Sequence, residues 1–221
     1  ERLGHELAPT YAALTPLLAE PAVHADLAGV TLDVGLRSHG RAHLELEGSF
    51  LFTHRGYSGP VVLNASHAAT RAPDAREEIT VRWGGVEAER WDADLRAGSG
   101  QLGTLLAERL PTRLARVLAE EAGVAWDASR ARIRREERLR LVQLLTRYPL
   151  PWTGDEGYRK AEVTGGGVRL DQVHTGSLES RVAPGLYLCG EVLDAFGPIG
   201  GHNFLWAWAT GRTAGEAAAQ G

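Results

Sequence analysis

The chain has 221 residues, of which 43% are hydrophobic and 24% are charged, and its formal net charge is −4. This length allows one large domain or two small ones and is sufficient for a buried core. The slightly acidic balance gives no overall attraction for phosphate, so we expect no nucleic-acid partner. No apolar run approaches the roughly 20 residues that span a bilayer, and no signal-peptide pattern opens the chain, so we expect a cytoplasmic protein without a membrane partner.

The beginning of the chain indicates a fragment. The sequence contains no methionine, not even at position 1, and residues 1–5 have the pattern of a last helical turn closed by Gly4. No Gly-x-Gly-x-x-Gly motif follows a predicted strand, so a phosphate-binding first turn would have to lie upstream. The prolines in residues 6–28 then favour a loop that crosses between domains.

The residues up to about 150 predict strands first and helices afterwards. Alternating polar and apolar residues predict four strands, at 30–37, 41–47, 49–53 and 78–83. Ser58 is placed to cap a helix at 61–70. A helical period then extends from 86 to 147, with Pro111 at a helix start and Gly123 at a helix end. We therefore predict a small α+β domain here, with a boundary near residue 150.

The most informative stretch lies near the C-terminus. The apolar run 186–189 predicts a buried central strand, with the single cysteine, Cys189, as a small core residue. Gly190 allows a backbone or a ligand to approach closely. Glu191 and Asp194 follow, and carboxylates beyond the end of such a strand hold nucleotide-like ligands in open α/β sheets. Alternatively, Glu191 braces the loop, or both carboxylates are ordinary surface groups.

The next predicted helix begins at a glycine pair. Gly200, Gly201, His202 and Asn203 leave unpaired N–H groups and the positive end of the helix dipole facing outward. Such a start stabilises negative charge, as on the pyrimidine side of a reduced flavin, by about 0.3–2 kcal/mol. Small residues recur every four positions and favour close packing on a sheet, at Ala207, Gly211, Gly215 and Ala219. The alternative is an ordinary packing helix with a glycine entry. Trp206 and Trp208 are interpreted as core residues rather than as platforms for a ligand.

Several short motifs occur in a fixed order along the chain. They are Leu3-Gly-His5, Leu14-Thr-Pro-Leu17, Leu51-Phe-Thr-His-Arg-Gly-Tyr-Ser-Gly-Pro60, Val163-Thr-Gly-Gly-Gly-Val168, Ser177-Leu-Glu-Ser180, Pro184-Gly-Leu-Tyr-Leu-Cys-Gly-Glu-Val-Leu-Asp194, Gly200-Gly-His-Asn203 and Trp206-Ala-Trp208. In order and spacing the chain resembles the BaiN-like (YhiN-type) flavoproteins, which bind FAD and are of the two-dinucleotide-binding-domain type, over essentially all its residues. His202 departs from that family's usual tyrosine, and 177–180 departs from Thr-Met-Glu-Ser, which changes what lines the flavin edge.

The resemblance implies an α/β fold, a partial Rossmann-like FAD-binding domain with an α+β inserted domain. Residues 1–5 would end the upstream portion of the FAD domain, 6–150 would form the inserted domain, and 151–221 would complete the FAD domain. Asp194 would contact the ribityl chain, and the glycine-pair helix start would lie by the isoalloxazine ring. The cofactor-binding residues expected are Thr164, Gly166, Gly190, Glu191, Asp194, Gly200, Gly201, His202 and Asn203.

Two histidines are candidate catalytic residues. His54 ends a predicted strand before a tight glycine loop, from which it could reach a ligand between domains; alternatively, it bonds the loop backbone. His202 lies at the expected flavin edge. The eight histidines show no ligand spacing, so we expect no metal site. The seven arginines of 130–147 are interrupted by two glutamates and are interpreted as a solvated helix face.

Two functions compete at this point. The resemblance implies part of an FAD-dependent oxidoreductase in which NAD(P)H reduces the flavin and the flavin reduces a small organic substrate, an unsaturated or keto compound. Its partner would be the upstream Rossmann half of the same protein, and the chain alone would hold little FAD and be inactive. The alternative is a non-catalytic binding or interaction module.

Overall fold

The computed structural model describes residues 2–40, 43–71, 77–98 and 100–220. The strands are β1 Leu7–Ala13, β2 Leu17–Leu18, β3 Thr31–Ser38, β4 Leu44–Phe52, β5 Gly56–Ser58, β6 Ile79–Trp83, β7 Tyr148–Pro149, β8 Gly154–Asp155 and β9 Val163–Val168. The helices are α1 Pro60–Thr70, α2 Ala88–Arg96, α3 Leu102–Ala107, α4 Thr112–Ala122, α5 Arg135–Thr146 and α6 His202–Ala218. The mixed α/β class predicted from the sequence is confirmed.

One antiparallel sheet organises most of the chain. Within the described ranges it contains seven strands in the order β7-β6-β3-β4-β5-β2-β8. Its longest ladder joins β3 to β4, from Thr31 opposite Leu51 to Ser38 opposite Leu44. The prediction of two separate strands over 41–53 is wrong, because Gly48 stays in register opposite Val34 and the strand continues through it.

Helix α1 begins differently from the prediction. Ser58 ends β5, and the N-cap is Gly59, with φ of +93° and no side-chain cap bond. A Cβ on Gly59 would lie 2.7 Å from the Ser49 carbonyl oxygen, so the chain crosses β4 too closely for any side chain. The Ser58 cap is therefore wrong, and Pro60 at the first helical position sets the helix start instead.

The helical part follows the sequence pattern more closely. Pro111 immediately precedes α4, and Gly123 closes it in the left-handed conformation with φ of +76°, as predicted. The helices α2 to α5 bury their apolar faces against each other and against β6 and β7. The sheet contributes an aromatic group to the same core, namely Phe50, Phe52, Tyr57 and Trp83, all fully buried.

The segment predicted as a crossing loop, 6–28, instead begins with a strand. β1 pairs antiparallel with β9, which ties the start of the chain to its C-terminal part. The register shifts between Ala8 and Tyr11, so Pro9 lies at a bulge, where its missing N–H removes no ladder hydrogen bond. The loop prediction is wrong because a proline at a bulge does not end a strand.

The predicted buried strand at 186–189 does not form among the described residues. Tyr187 makes one isolated bridge to Glu179, and Cys189 is exposed rather than a core residue. The prediction assumed neighbouring strands on both sides, and the described ranges supply none. The small-residue stripe of α6 likewise meets no sheet, since a Cβ added to Gly211 or Gly215 would enter open space. No helix in the described ranges is long and apolar enough to cross a membrane.

Candidate cofactor site

A crevice of about 400 Å³ opens beside the start of α6. Its walls come from the start of β9, the 3₁₀ turn Gly190–Val192, the loop 195–201 and the first turns of α6. The lining residues are Glu162, Val163, Glu191, Ala195, Phe196, Ile199, Gly200, Gly201, Asn203, Phe204, Trp206 and Ala207. This size lies in the range of small-molecule and cofactor sites, and the walls combine apolar side chains with a few polar groups.

The glycine pair at the helix start leaves one wall of the crevice without side chains. Gly200 and Gly201 have φ of +106° and +91°, a conformation that favours glycine, and a Cβ on either would meet open space. The N–H groups of His202, Asn203 and Phe204 have no helical partner, and no side chain caps them. These outward donors at the positive end of the helix suit a flat ring that carries carbonyl acceptors.

Two asparagines hold the loop that forms the opposite wall. Asn203 accepts a hydrogen bond from the Gly197 N–H at 2.8 Å and donates to the Gly197 carbonyl at 3.0 Å. Asn64, on α1, accepts from the Ile199 N–H at 2.9 Å. The sequence reasoning missed Asn64, although a lone amide within the otherwise apolar start of a helix is a usable signal. The loop is thus fixed from both α1 and α6.

Glu191 lies at the crevice and braces it. Its Oε1 accepts a hydrogen bond of 2.7 Å from the Thr164 N–H, which joins the 3₁₀ turn to β9. Thr164 itself pairs with Ala12 in the ladder and does not line the crevice. The alternative in which Glu191 braces the loop is the one that the geometry supports, while its other oxygen stays available to a ligand.

The glycines of β9 are required by protein contacts. A Cβ on Gly165 would collide with the Tyr11 ring, one on Gly166 with the Pro9 carbonyl, and one on Gly167 with the Val192 carbonyl. Gly166, predicted to bind cofactor, is buried and faces β1 instead of the crevice. Its cofactor role stays a prediction that the geometry does not favour.

Gly190 is approached by helix α6. Its N–H donates to the Thr210 hydroxyl at 2.9 Å, and its carbonyl accepts from the Trp206 indole N–H at 3.1 Å. A Cβ at Gly190, where φ is +71°, would lie 3.7 Å from Ala207. The sequence predicted that either a backbone or a ligand approaches Gly190 closely, and on this side of Gly190 it is the backbone of α6 that does so. Trp206 is half-buried as part of this contact, but Trp208 is exposed, so its assignment to the core is wrong.

Asp194 lines a neighbouring groove. The chain passes from that groove into the crevice at Ala195 and Phe196. The groove also contains Arg71 and Arg169. The Tyr11 ring lies edge-to-face against Phe196, one of the crevice residues, at 6.4 Å. Burial raises the pKa of the Tyr11 phenol, with Arg71 acting in the opposite direction.

The two candidate catalytic histidines are not brought together. His54 is exposed in the turn between β4 and β5, where the Thr53 hydroxyl, and not His54, accepts the Arg55 N–H. His202 is exposed at the first position of α6 and does not line the crevice. Their catalytic roles stay predictions. No cluster of metal-ligating side chains lies within the described ranges.

The motif at 177–180 locks a turn and lies outside the crevice lining. The Ser180 hydroxyl oxygen accepts the N–H groups of Val182 and Ala183 and lies 2.7 Å from His5 Nε2. The Glu179 carboxylate accepts the Gly185 N–H at 2.8 Å. The expectation that this motif lines the flavin edge stays a prediction that the geometry does not favour, because its polar groups are committed to the turn and to His5.

The glycine helix start and the crevice beside it form a candidate site for a flat cofactor. The family model described as "HI0933-like protein Rossmann domain" matches residues 1–217, so the chain belongs to that family of flavin-binding proteins. The resemblance to the BaiN-like flavoproteins is thereby confirmed.

Curated relatives carry two kinds of name. The chain is 35% identical to "Ribosomal RNA dihydrouridine synthase" of Escherichia coli (strain K12), over 95% of this chain and 52% of that protein. It is 33% identical, with the same shares, to the protein of that name from Haemophilus influenzae. It is 31% identical to "3-dehydro-bile acid delta(4,6)-reductase" of Clostridium scindens, over 99% of this chain and 56% of that protein. The chain spans about half the length of these relatives.

Proposed function

We propose that this chain forms part of an FAD-dependent oxidoreductase that reduces a carbon–carbon double bond conjugated to a carbonyl group. The relatives' names support this class of reaction. Making dihydrouridine from uridine saturates a pyrimidine C=C bond beside a carbonyl, and a delta(4,6)-reductase acts on C=C bonds of a 3-dehydro, or keto, bile acid. One reaction type therefore covers both substrates.

The observation that carries the proposal is the crevice at the start of α6. Its apolar wall of Val163, Phe196 and Ile199 suits one face of a planar ring. The side-chain-free wall of Gly200 and Gly201 admits the ring edge, where free N–H groups donate to its carbonyl oxygens. FAD, when bound and reduced by NAD(P)H, would supply the hydride for the reduction, and the positive end of the helix would stabilise the negative charge of the reduced flavin.

Asp194 extends the site toward a polyol. Because Asp194 directly precedes the crevice residues Ala195 and Phe196, a ribityl chain leaving the crevice would meet its carboxylate. Glu191 positions the 3₁₀ turn through Thr164, so that the crevice keeps its shape before the ligand arrives. NAD(P)H as the reductant and the cytoplasmic location both stay part of the proposal.

An exposed apolar face on α6 supports a further partner. Phe204, Leu205 and Trp208 are 70%, 62% and 73% exposed, and the rings of Phe204 and Trp208 lie 6.3 Å apart. Contiguous exposed apolar surface marks an interaction site. We propose that the upstream Rossmann half of the same protein covers this face and supplies the pyrophosphate cradle of the FAD site.

The flavin content of the full-length gene product tests the proposal. We expect it to purify yellow, with flavin absorbance near one equivalent, and to oxidise NAD(P)H. Asp194→Ala should lower the flavin content several-fold, whereas Asp171→Ala, which removes another groove carboxylate paired with Arg169, should not. A colourless full-length product that takes up no added FAD would instead favour the non-catalytic binding module.

A further inference from the structure

The Phe196 ring of the crevice wall lies between two aromatic side chains that come from different elements. Phe196 is half-buried and lines the crevice. The Tyr11 ring, on β1, meets it at 6.4 Å between centroids and at 77°. The His67 ring, on α1, meets it at 5.7 Å and at 74°. Both contacts have the edge-to-face geometry that aromatic pairs prefer, so each of them stabilises one orientation of the Phe196 ring.

Tyr11 reaches Phe196 because the residue opposite it has no side chain. Tyr11 is the partner of Gly165 in the β1–β9 ladder. A Cβ on Gly165 would collide with Tyr11 Cζ, so the phenol ring lies directly over the glycine. The backbone of β9 therefore supports the Tyr11 ring from below and keeps it beside the crevice wall.

His67 is held within its own helix. Its Nδ1 donates to the Asn64 carbonyl at 2.8 Å. The Asn64 side chain accepts the Ile199 N–H at 2.9 Å. Residues three positions apart lie on the same face of a helix, so one face of α1 contacts the crevice loop at two points, Phe196 and Ile199.

Helix α1 is in turn fixed to both sheets. It packs on β3 and β4 of the seven-stranded sheet and on β1 of the two-stranded sheet. Val61, Val62 and Ala65 of this helix are buried in the main core. The orientation of Phe196 therefore depends on packing in the part of the chain that precedes residue 150, and not only on its own loop.

We propose that Tyr11 and His67 are positioning residues of the flavin site, which act through Phe196 by holding its ring as a fixed wall for the isoalloxazine ring. The inference rests on the proposed function, which gives the crevice to that ring. A wall that is already in place before the ligand arrives loses little conformational entropy on binding. The sequence did not single out His67 for the site, because its contact with Phe196 joins positions that lie far apart along the chain.

Fluorine NMR of the 221-residue chain labelled with 4-fluorophenylalanine tests the ring contacts without flavin. The chain contains four phenylalanines, and the Phe196 signal is assigned by its loss in Phe196→Leu. His67→Ala and Tyr11→Ala should each shift or broaden this signal, because the ring loses one of its two aromatic neighbours. The signals of Phe50 and Phe52, which are fully buried in the main core, should stay in place and show that the variants fold.

The dissociation constant of FAD and the flavin absorption spectrum of the full-length gene product test the effect on the site. His67→Ala and Tyr11→Ala should each raise the dissociation constant about 2- to 10-fold, the factor that one aromatic pair contributes to an equilibrium. Each should also change the shape of the flavin absorption bands, because the wall against the ring is no longer fixed. His67→Phe and Tyr11→Phe keep a ring at these positions and should retain both properties.

The matched controls remove an aromatic side chain of the same type from the surface. His174→Ala removes an exposed histidine, and Tyr158→Ala removes a tyrosine that is 57% exposed. Neither change should alter the Phe196 fluorine signal, the dissociation constant of FAD or the flavin spectrum.

Three results would overturn the inference. They are a Phe196 signal that neither His67→Ala nor Tyr11→Ala moves, an unchanged FAD dissociation constant in both of these variants, and a loss of FAD binding that the phenylalanine variants share or that the controls match. A full-length product that binds no flavin would overturn the proposed function instead. The fluorine signals alone would then decide whether Tyr11 and His67 hold the Phe196 ring.

Discussion

Asn203 and Gly197 form a closed pair of hydrogen bonds in which one side-chain amide satisfies both backbone groups of a single residue. The Gly197 N–H donates to Asn203 Oδ1 at 2.8 Å, and Asn203 Nδ2 donates to the Gly197 carbonyl at 3.0 Å. The helix that offers its amino end to the crevice therefore also fixes the loop on the other side. Helix start and loop are expected to move together.

Replacing this amide should open the crevice. Asn203→Ala removes two hydrogen bonds of about 0.5–1.5 kcal/mol each and should lower the free energy of unfolding by about 1–2 kcal/mol, measured by urea denaturation. It should also lower the flavin content of the full-length product, because the loop loses its fixed position. Gln143→Ala, which removes an exposed amide on α5, is the control and should change neither quantity. An Asn203→Ala protein with wild-type stability would show that the loop is held by other contacts.

A second prediction concerns the stability cost of replacing a glycine of β9. Gly166→Ala places a methyl group against the Pro9 carbonyl at φ of +82°, so it should cost about 2–4 kcal/mol of unfolding free energy. Gly176→Ala, in an exposed turn where the methyl group meets open space, should change stability by less than about 0.5 kcal/mol. Equal melting temperatures for the two variants would show that β1 does not pack on β9 as described.

The sequence predicts the local features of this fold better than its long-range pairings. Turn chemistry predicts the helix end at Gly123 and periodicity predicts a strand at 30–37; the helix ends there, and the strand occurs at 31–38. The pairing of β1 with β9 joins residues 150 or more positions apart, and no local pattern encodes it. Pro9 favoured a loop in the sequence analysis. The bulge that accommodates this proline exists only because β1 pairs with β9, and the sequence does not show that pairing.

In the candidate site, too, the sequence predicts local features better than long-range contacts. The glycine pair, Glu191 and Asn203 were expected from short motifs, and they line one crevice. Asp194 lies in the adjoining groove, and the glycine run of β9 serves packing, which a motif cannot distinguish from ligand binding. Asn64 was missed because it reaches the loop from α1, about 135 positions earlier in the chain.

His67 should make stability depend on pH. Burial lowers the pKa of its imidazole, and the Arg71 charge acts in the same direction, while the hydrogen bond from Nδ1 to the Asn64 carbonyl opposes them. Because the unfolded chain then binds the proton more readily, this contribution to stability is complete above about pH 6.5 and is lost as the pH falls.

The measurement for His67 is the melting temperature between about pH 8 and pH 5, a window that brackets the ordinary histidine pKa. His67→Gln should show a smaller decrease over this range than the wild-type chain. His54→Gln removes an exposed histidine and serves as the control, with the wild-type pH dependence retained. A wild-type slope in His67→Gln would contradict the lowered pKa of the half-buried His67 imidazole.

The buried network around His24 gives the last prediction. Tyr148 donates to the Glu121 carboxylate at 3.0 Å, so its oxygen must accept from His24 Nε2 at 3.1 Å. The proton is then on Nε2, and His24 Nδ1 accepts from the Tyr57 hydroxyl at 2.8 Å. Burial raises the pKa of both phenols, so both remain donors at neutral pH.

Tyr57→Phe should leave His24 Nδ1 without its partner in the core, and Tyr148→Phe should leave His24 Nε2 with only the Glu121 carboxylate, 3.7 Å away. Tyr57→Phe and Tyr148→Phe should each cost about 1–3 kcal/mol of unfolding free energy. The double variant should cost less than the sum by at least about 0.5 kcal/mol, because the two hydroxyls share one imidazole tautomer. Tyr158→Phe, which removes an exposed hydroxyl, controls for the chemical change and should be neutral. Strict additivity of the two buried variants would mean that His24 does not couple them.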